Sequence, residues 1–318
     1  MLAVLFARAK EENQFAGVVS HLIEGGLSIL QYADDTVVFL DHNIEHAKNV
    51  KLLLTAFEQL SGLKINFHKS ELFCYGMAKD CESQYSQLFG CDVGTMPFKY
   101  LGIPVTHRRL RNSEWRCVVD RFESRLSNWK AKFLSSGWRL VLINSVLSSL
   151  PIFMKSFFET PAGVLEKLDA IRSRFFWQGG HHKKKYRLAK WQIICQPKEL
   201  GGLGVANLAI KNICLLSKWL YKLLNEDGMW QRLLTNKYLG GKSLTQVSRK
   251  PGDSHFWAGL MNVKDQFLRW GRFRVGDGQA TRFWEDKWLN NTTLREQFPN
   301  LFNIVRNKTS LVAEVLVT

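Results

Sequence analysis

Acidic residues are scarce in this chain. Its 318 residues include 28 Asp plus Glu against 44 Lys plus Arg, a formal net charge of +16. Such an imbalance favours a polyanionic partner, nucleic acid first and an anionic membrane surface second. Paired cysteine motifs are missing too. The six cysteines, Cys74, Cys81, Cys91, Cys117, Cys195 and Cys214, form no C-x-x-C pair, which argues against a zinc ribbon or finger. Their apolar or mixed surroundings read as buried, reduced thiols. No apolar run is long enough to span a membrane: residues 140–154 are the most apolar, yet they contain Asn144, several serines and Pro151. Arg8, Lys10, Glu11 and Glu12 interrupt the first apolar stretch, so no signal-peptide pattern opens the chain. The expected compartment is therefore reducing and intracellular. Gly201-Gly202-Leu203-Gly204 lacks the G-x-G-x-x-G spacing and a preceding strand, and no small-molecule cofactor is expected. No internal repeat or long low-complexity segment is present.

The length suggests two or three domains, and a hydrophobic content of 46% is enough for at least one sizeable core. The stretch Tyr32-Ala33-Asp34-Asp35 organises the rest. Strand-like runs flank it, Ser28-Ile29-Leu30-Gln31 before and Thr36-Val37-Val38-Phe39-Leu40 after, and acidic residues favour tight turns. The pattern predicts a β-hairpin with two adjacent carboxylates at its tip. Two such anions repel unless a cation lies between them or the site stays wet. Mg²⁺ would supply that charge, since it binds hard oxygen ligands and often takes only one or two protein carboxylates. A solvated turn is the alternative.

Further along, Asp41 to Asn43 offer helix-start chemistry, and Ile44, Ala47, Val50, Leu54 and Phe57 recur at helical spacing. Leu53 and Leu60 widen that stripe, and Gly62 ends the helix. Leu63-Lys64-Ile65-Asn66-Phe67 and Glu71-Leu72-Phe73-Cys74-Tyr75 read as strands, so an α+β layer is expected. Residues 76–96 carry little pattern. Residues 98–105 alternate and turn, as in a short hairpin or edge strand. The basic cluster His107-Arg108-Arg109-Leu110-Arg111 opens a helical region over about 113–135, with Trp115, Val118, Val119, Phe122, Leu126 and Trp129 as its stripe. Helices are also predicted over 137–150 and 163–177, and Gly179-Gly180 breaks the last. A Trp-rich basic region follows from Tyr186. It includes a helix over 207–224 with Leu208, Leu215, Leu216, Trp219 and Leu223 inward, and a hairpin turn at Gly276-Asp277-Gly278 between strands.

Several residues could carry chemistry. His42-Asn43-Ile44-Glu45-His46 matches an H-x-x-E-H zinc-peptidase pattern, but Asn43 as helix cap would leave His42 outside the helix. Solvated helix-start histidines are the better reading. Basic stretches, one with Arg108, Arg109 and Arg111 and one running from Lys183, Lys184 and Lys185 to Lys190, alternate with or adjoin Trp115, Tyr186 and Trp191. Lysine and arginine neutralise phosphates, and aromatic faces stack on unpaired bases; solvated loops are the alternative. Lys64 and Lys69 lie in the stretch after the first long helix and could approach a phosphate.

The order of these pieces carries a resemblance. The Tyr-Ala-Asp-Asp hairpin is followed by a helix, by Ser61-Gly62-Leu63-Lys64-Ile65-Asn66-Phe67-His68-Lys69-Ser70, and by Tyr100-Leu101-Gly102-Ile103-Pro104. Trp129-Lys130, Gly137-Trp138-Arg139, Phe175-Phe176-Trp177, Leu200-Gly201-Gly202-Leu203-Gly204, Lys218-Trp219, Arg282-Phe283-Trp284 and Asp286-Lys287-Trp288 continue the series. Together they resemble the C-terminal part of the reverse transcriptases of plant LINE-type (non-LTR) retrotransposons. The resemblance implies a mainly helical α+β fold. A partial palm would occupy residues 1–106, a helical thumb 107–180 and a basic, Trp-rich connector 181–318. It also implies RNA-directed DNA synthesis with two Mg²⁺ ions, on an RNA template and a DNA primer or RNA–DNA duplex, in the nucleus and without a membrane. Asp34 would be a metal ligand supported by Asp35, Lys64 or Lys69 would meet nucleotide phosphates, and Phe98, Lys99, Tyr100, Leu101 and Gly102 would form a primer grip. The family's other metal-binding Asp and its Gly-Asp-Pro-Leu-Ser-type motif have no counterpart here, and no ribonuclease H carboxylate set is recognisable. The expectation is a truncated polymerase, inactive as this chain; a non-catalytic nucleic-acid-binding remnant and a decayed, poorly folding product are the alternatives.

Overall fold

The computed structural model describes residues 1–127, 133–178, 186–279 and 281–316. The chain is mainly helical with a few short strands, an α+β composition. It divides into two compact units, Met1–His107 with Glu226–Gly241, and Arg108–Asn225 with Lys242–Thr318.

The first unit is built on apolar residues at helical spacing. In α1 (Leu2–Glu11), Leu2, Phe6 and Ala9 are buried, and Phe6 meets Phe15 edge-on with ring centres 5.4 Å apart. The hairpin of β1 (Ile29–Tyr32) and β2 (Asp35–Val38) follows. Next comes α2 (Ile44–Ser61). Asn43 caps it, its side chain accepting from the backbone N–H of Glu45 (2.9 Å) and His46 (3.4 Å). Gly62 closes it with φ 72°, a left-handed conformation that favours glycine. Ala47 and Val50 are its fully buried residues. Then come β3 (Glu71–Leu72), α3 (Glu82–Phe89), β4 (Asp92–Val93), β5 (Phe98–Tyr100) and β6 (Ile103–Val105). The strands pair two by two: β1 with β2 and β5 with β6 antiparallel, β3 with β4 parallel. Tyr85 and Phe89 of α3 close the core over α1 and α2, and Ile29 and Val38 of the hairpin pack against it.

Three expectations are corrected here. Residues 63–67 form no strand. Glu58 Oε1 takes the Ile65 N–H at 2.6 Å, and Asn66 caps a 3₁₀ turn at Phe67–Lys69, so the local side-chain bonds outcompete a ladder. The strand expected over 71–75 is reduced to β3, because β4 offers it only two partners. Leu60 is 69% exposed and lies outside the buried stripe of α2. Residues 76–96, which carried no clear pattern, contain α3.

The second unit is helical. It comprises α4 (Arg116–Ser127), α5 (Ser136–Leu142), α6 (Ile152–Phe157), α7 (Ala162–Gln178), α8 (Trp191–Ile194) and α9 (Leu208–Asn225). The short α10 (Met229–Leu234) belongs to the first unit, where Asn236 beyond it donates to the Leu22 carbonyl at 2.7 Å. Then α11 (His255–Trp270), α12 (Leu294–Gln297), α13 (Pro299–Ile304) and α14 (Val312–Val315) complete the second unit. α5 runs into a π-helical turn at Ile143–Leu147, and Pro151 caps the start of α6. α4 packs on α7, and α9 packs on α6 and α11. Trp115, Phe122, Leu147, Leu168, Leu208, Leu216, Trp257 and Leu260 are fully buried in this core. The turn at Gly276-Asp277-Gly278 forms, with Asp277 Oδ1 accepting the Gln279 N–H at 3.0 Å. Its flanks are not strands; one backbone bond, Phe273 N–H to Lys287 O at 2.9 Å, ties them.

The inward face of α9 differs from the periodic expectation. Leu208, Asn212, Leu216, Leu220 and Leu223 are buried, whereas Leu215 and Trp219 are only half-buried. Asn212 is satisfied there: Oδ1 accepts from Thr160 N–H (2.8 Å), and Nδ2 donates to the carbonyls of Lys155 (2.7 Å) and Phe158 (3.0 Å). It therefore closes the C-terminal end of α6, whose last carbonyls lack helical partners. Two cations are buried in the same unit. Lys155 is 1% exposed and donates to Leu208 O at 2.6 Å. Arg172 is fully buried and reaches Asp169, Ser148 Oγ (3.1 Å) and Ala206 O (2.9 Å).

Candidate functional site

The carboxylate hairpin forms where the residue pattern placed it. The register pairs Ile29 with Val38, Leu30 with Val37, Gln31 with Thr36 and Tyr32 with Asp35. The connecting loop is thus Ala33-Asp34 alone. Asp34 sits on the loop and Asp35 opens the return strand. Two-residue hairpin loops need positive φ, and Ala33 adopts φ 52°. A Cβ is unfavourable in that region, so the tip holds mild backbone strain. The hairpin base is anchored by Ile29 and Val38 in the core, while both carboxylates face solvent. Among the described residues, neither the Asp34 nor the Asp35 carboxylate has a hydrogen-bond or ion-pair partner.

This donor set suits a hard cation only in part. Two exposed carboxylates, one on the loop and one at the start of the return strand, can supply the one or two protein oxygens that Mg²⁺ takes, with water or phosphate completing its shell. Among the described residues, no group of three or more His, Cys, Asp or Glu is placed to hold a metal. The residues present fit part of one cation's shell and do not fit a two-ion site.

Lys64 and Lys69 are both exposed on the segment after α2, and neither forms an ion pair with Asp34 or Asp35. Lys51 fastens this segment to α2: its ammonium lies 3.6 Å from the Phe67 ring centre and donates to Phe89 O at 3.0 Å. The Phe98–Gly102 stretch is β5 and its turn. Leu101 and Gly102 both have positive φ, 49° and 79°, as a tight primed turn requires. Phe98 stacks on Phe73 with centres 4.2 Å apart, and Lys99 is exposed on the opposite face.

Of the basic cluster, Arg108 is half-buried and forks onto Glu114 at 3.3 and 3.2 Å, so its charge is matched inside the chain. Arg109 and Arg111 are exposed. Between them Leu110 is buried, and its N–H donates to His255 Nδ1 at 3.3 Å. His255 also stacks on Phe158 with centres 5.0 Å apart. Burial first, and Arg109 second, lower its pKa to about 4, so it is neutral at pH 7. Lys183, Lys184 and Lys185 lie outside the described residues, as do Trp129, Lys130, Gly179 and Gly180.

The H-x-x-E-H pattern resolves into two separate jobs. His46 Nδ1 meets the Asp41 carboxylate at 2.8 and 3.0 Å, and His42 Nδ1 meets the Tyr85 hydroxyl at 3.1 Å. Asn43 is the cap between them, as expected. Among the buried polar residues that periodicity missed are Asn212, Lys155 and Arg172. Each stands in or beside an apolar run, and nothing in the run marks it as buried. No helix among the described residues is long and apolar enough to cross a membrane.

Comparison with known proteins bears on the first unit. Residues 5–105 match the family model described as reverse transcriptase (RNA-dependent DNA polymerase). The matched span runs from α1 to the last residue of β6, and so contains the carboxylate hairpin, Lys64, Lys69 and the Phe98–Gly102 stretch. The chain is 35% identical over 201 residues to an Arabidopsis thaliana protein named for ribonuclease H; the match covers 61% of this chain and 32% of that protein. It is 28% identical over 147 residues to an uncharacterized mitochondrial protein of the same plant, covering 46% of this chain and 96% of that one. Residues 5–105 are thus similar to a reverse-transcriptase domain.

Proposed function

We propose that this chain is the C-terminal palm, thumb and connector of a LINE-type (non-LTR) reverse transcriptase. Palm residues would occupy 1–106, the thumb 107–180 and the connector 181–318. The observation that carries the reading is the hairpin tip: two adjacent solvent-facing, unpartnered carboxylates, one on a two-residue turn and one opening its return strand, inside the matched span. Asp34 and Asp35 are the metal-binding pair in this reading. Mg²⁺, when bound, supplies the charge that steadies a reacting phosphoryl group. Asp34 and Asp35 orient that cation at the loop. Lys64 or Lys69 meets nucleotide phosphates, and Phe98 to Gly102 holds the primer end. Arg109, Arg111, Lys183, Lys184 and Lys185 neutralise template or duplex phosphates. The setting is the nucleus, where chromosomal DNA would serve as target. The activity for which the first relative is named is not proposed for this chain, which has no recognisable ribonuclease H carboxylate set.

These 318 residues do not include a second metal-binding Asp upstream of the hairpin, so polymerisation by this polypeptide alone is not expected. Primer extension by the purified chain, on an RNA template with Mg²⁺, should stay at background. Extension that Asp34→Ala abolishes would overturn the inactivity. A second reading rests on the net charge of +16 and on the exposed Arg109 and Arg111: a non-catalytic nucleic-acid-binding remnant. It predicts binding to an RNA–DNA duplex that weakens with salt, survives Asp34→Ala and drops when Lys183, Lys184 and Lys185 become Gln.

A further inference from the structure

Residues 124–158 and 200–225 contain no Asp or Glu. The helices α5, α6 and α9 fall inside these two stretches, and α6 packs directly on α9. The charges of α9 are Lys211, Lys218 and Lys222. The nearest acid in sequence after α6 is Glu159, and its carboxylate is engaged by Asn262 Nδ2 at 2.6 Å. Helices whose own charges are all positive, in a chain of net charge +16, favour a polyanion over cationic partners.

The same helices carry a run of aromatic rings. Phe153 meets Phe157 with centres 5.8 Å apart, Phe157 meets Trp219 at 5.4 Å, and Trp219 meets Phe256 of α11 at 5.7 Å. The run passes from α6 over α9 to the start of α11. Trp219 is fixed in orientation, because its Nε1–H donates to Ser156 O at 2.6 Å. Lys222 lies 5.9 Å from the Trp219 ring centre, and Lys218 is one helical turn away from Lys222 on the exposed surface. At the outer end Phe153 is 46% exposed, although it stands between core residues Pro151 and Met154. Packing accounts for the inner rings. It does not account for an exposed Phe at the end of the run, on helices that carry lysines and no acid of their own.

We propose that this α6–α9 face binds an unpaired nucleic-acid strand. Phe153 is the stacking platform at the outer end, and the rest of the run makes that platform rigid. Lys218 and Lys222 meet the backbone phosphates. Stacking on an exposed ring favours separated bases, because paired bases in a duplex hide their faces. This rests on the nucleic-acid reading of the chain and refines it: the hairpin and the basic residues serve the duplex, and this face serves single strand. An apolar protein helix would gain nothing from the lysines, and an anionic membrane would gain little from one exposed ring.

The full chain is titrated into a fluorescently labelled uridine homopolymer and, separately, into an RNA–DNA duplex. Phe153→Ala and Phe153→Leu should each weaken homopolymer binding about tenfold and leave duplex binding unchanged, and Phe153→Trp should restore it. Lys218→Gln with Lys222→Gln should flatten the salt dependence of homopolymer binding. Far-UV circular dichroism checks that each variant keeps its fold. Homopolymer affinity that ignores Phe153→Leu overturns the proposal, as does an equal loss on duplex, or Phe153-dependent binding to phosphatidylserine vesicles that the homopolymer does not compete. Failure of the wild-type chain to bind any nucleic acid would instead sink the parent reading.

Discussion

At the residue scale, two positions stand out because the fold forces them into unfavourable states. Ala33 holds φ 52° at the hairpin tip, where glycine would be at ease. Ala33→Gly should therefore leave stability level or raise it by up to about 1 kcal/mol, since lost strain offsets the added freedom of the unfolded chain. Ala33→Val should cost about 1–2 kcal/mol, because a β-branched side chain tolerates that region worst. Urea denaturation of both variants measures the difference, and an unchanged Val variant would remove the strain argument. Lys155 is the second position. Burial first, and the Arg172 charge second, lower its pKa to about 7, against 10.5 for a free lysine. Between those values the unfolded chain holds a proton that the folded chain releases. Lys155 thus makes folding more favourable as pH rises from about 7 to about 10, and its charged form opposes folding below 7. Stability curves at pH 7 and pH 9.5 should show that rise in the wild type and lose it in Lys155→Met. The variant also leaves Leu208 O without its donor, so the slope with pH is the readout rather than the absolute stability.

At the element scale, the hairpin and α2 are legible in the sequence, since their signals are local. Acidic turn residues between β-branched runs make a hairpin, and Asn43 and Gly62 cap a helix from its own ends. The strand expected over 63–67 was not legible, because Glu58 on the preceding helix reaches forward to take the Ile65 N–H. Nor was the end of α6. Its carbonyls are closed by Asn212, fifty-odd residues later in α9. Asn212→Leu matches the apolar periodicity better, yet it should destabilise the chain by about 2–4 kcal/mol, since it strands one N–H and two carbonyls in the core. Thermal melts decide it: a Leu variant as stable as wild type would mean that these bonds contribute nothing net.

At the scale of the whole molecule, the two units differ in construction. The first has three separate two-stranded pairs and a small core, and isolated strand pairs are only marginally stable. The second has the larger helical core. Of the 11 tryptophans, Trp230 alone falls in the first unit. Tryptophan fluorescence therefore reports mainly on the second unit, whereas far-UV circular dichroism reports on both. The two probes should give non-coincident urea transitions, with the circular dichroism change beginning at lower urea. Superimposable curves would mean that the units unfold as one.

The sequence by itself determined the excess of positive charge, the carboxylate turn, the helix caps and the family resemblance. Each depends on residue identity or on neighbours a few positions away. Tertiary structure alone decided which polar groups are consumed inside the chain. Arg108 and Arg109 are neighbours of one chemistry, yet Glu114 matches the first and leaves the second exposed. Lys155 and Lys218 both stand in acid-free helices, yet one is sealed against Leu208 O and the other faces solvent. Whether a charge meets a carboxylate, a carbonyl or water depends on segments that are distant along the chain and adjacent only after folding. That partition separates the residues that hold the fold from those left facing solvent.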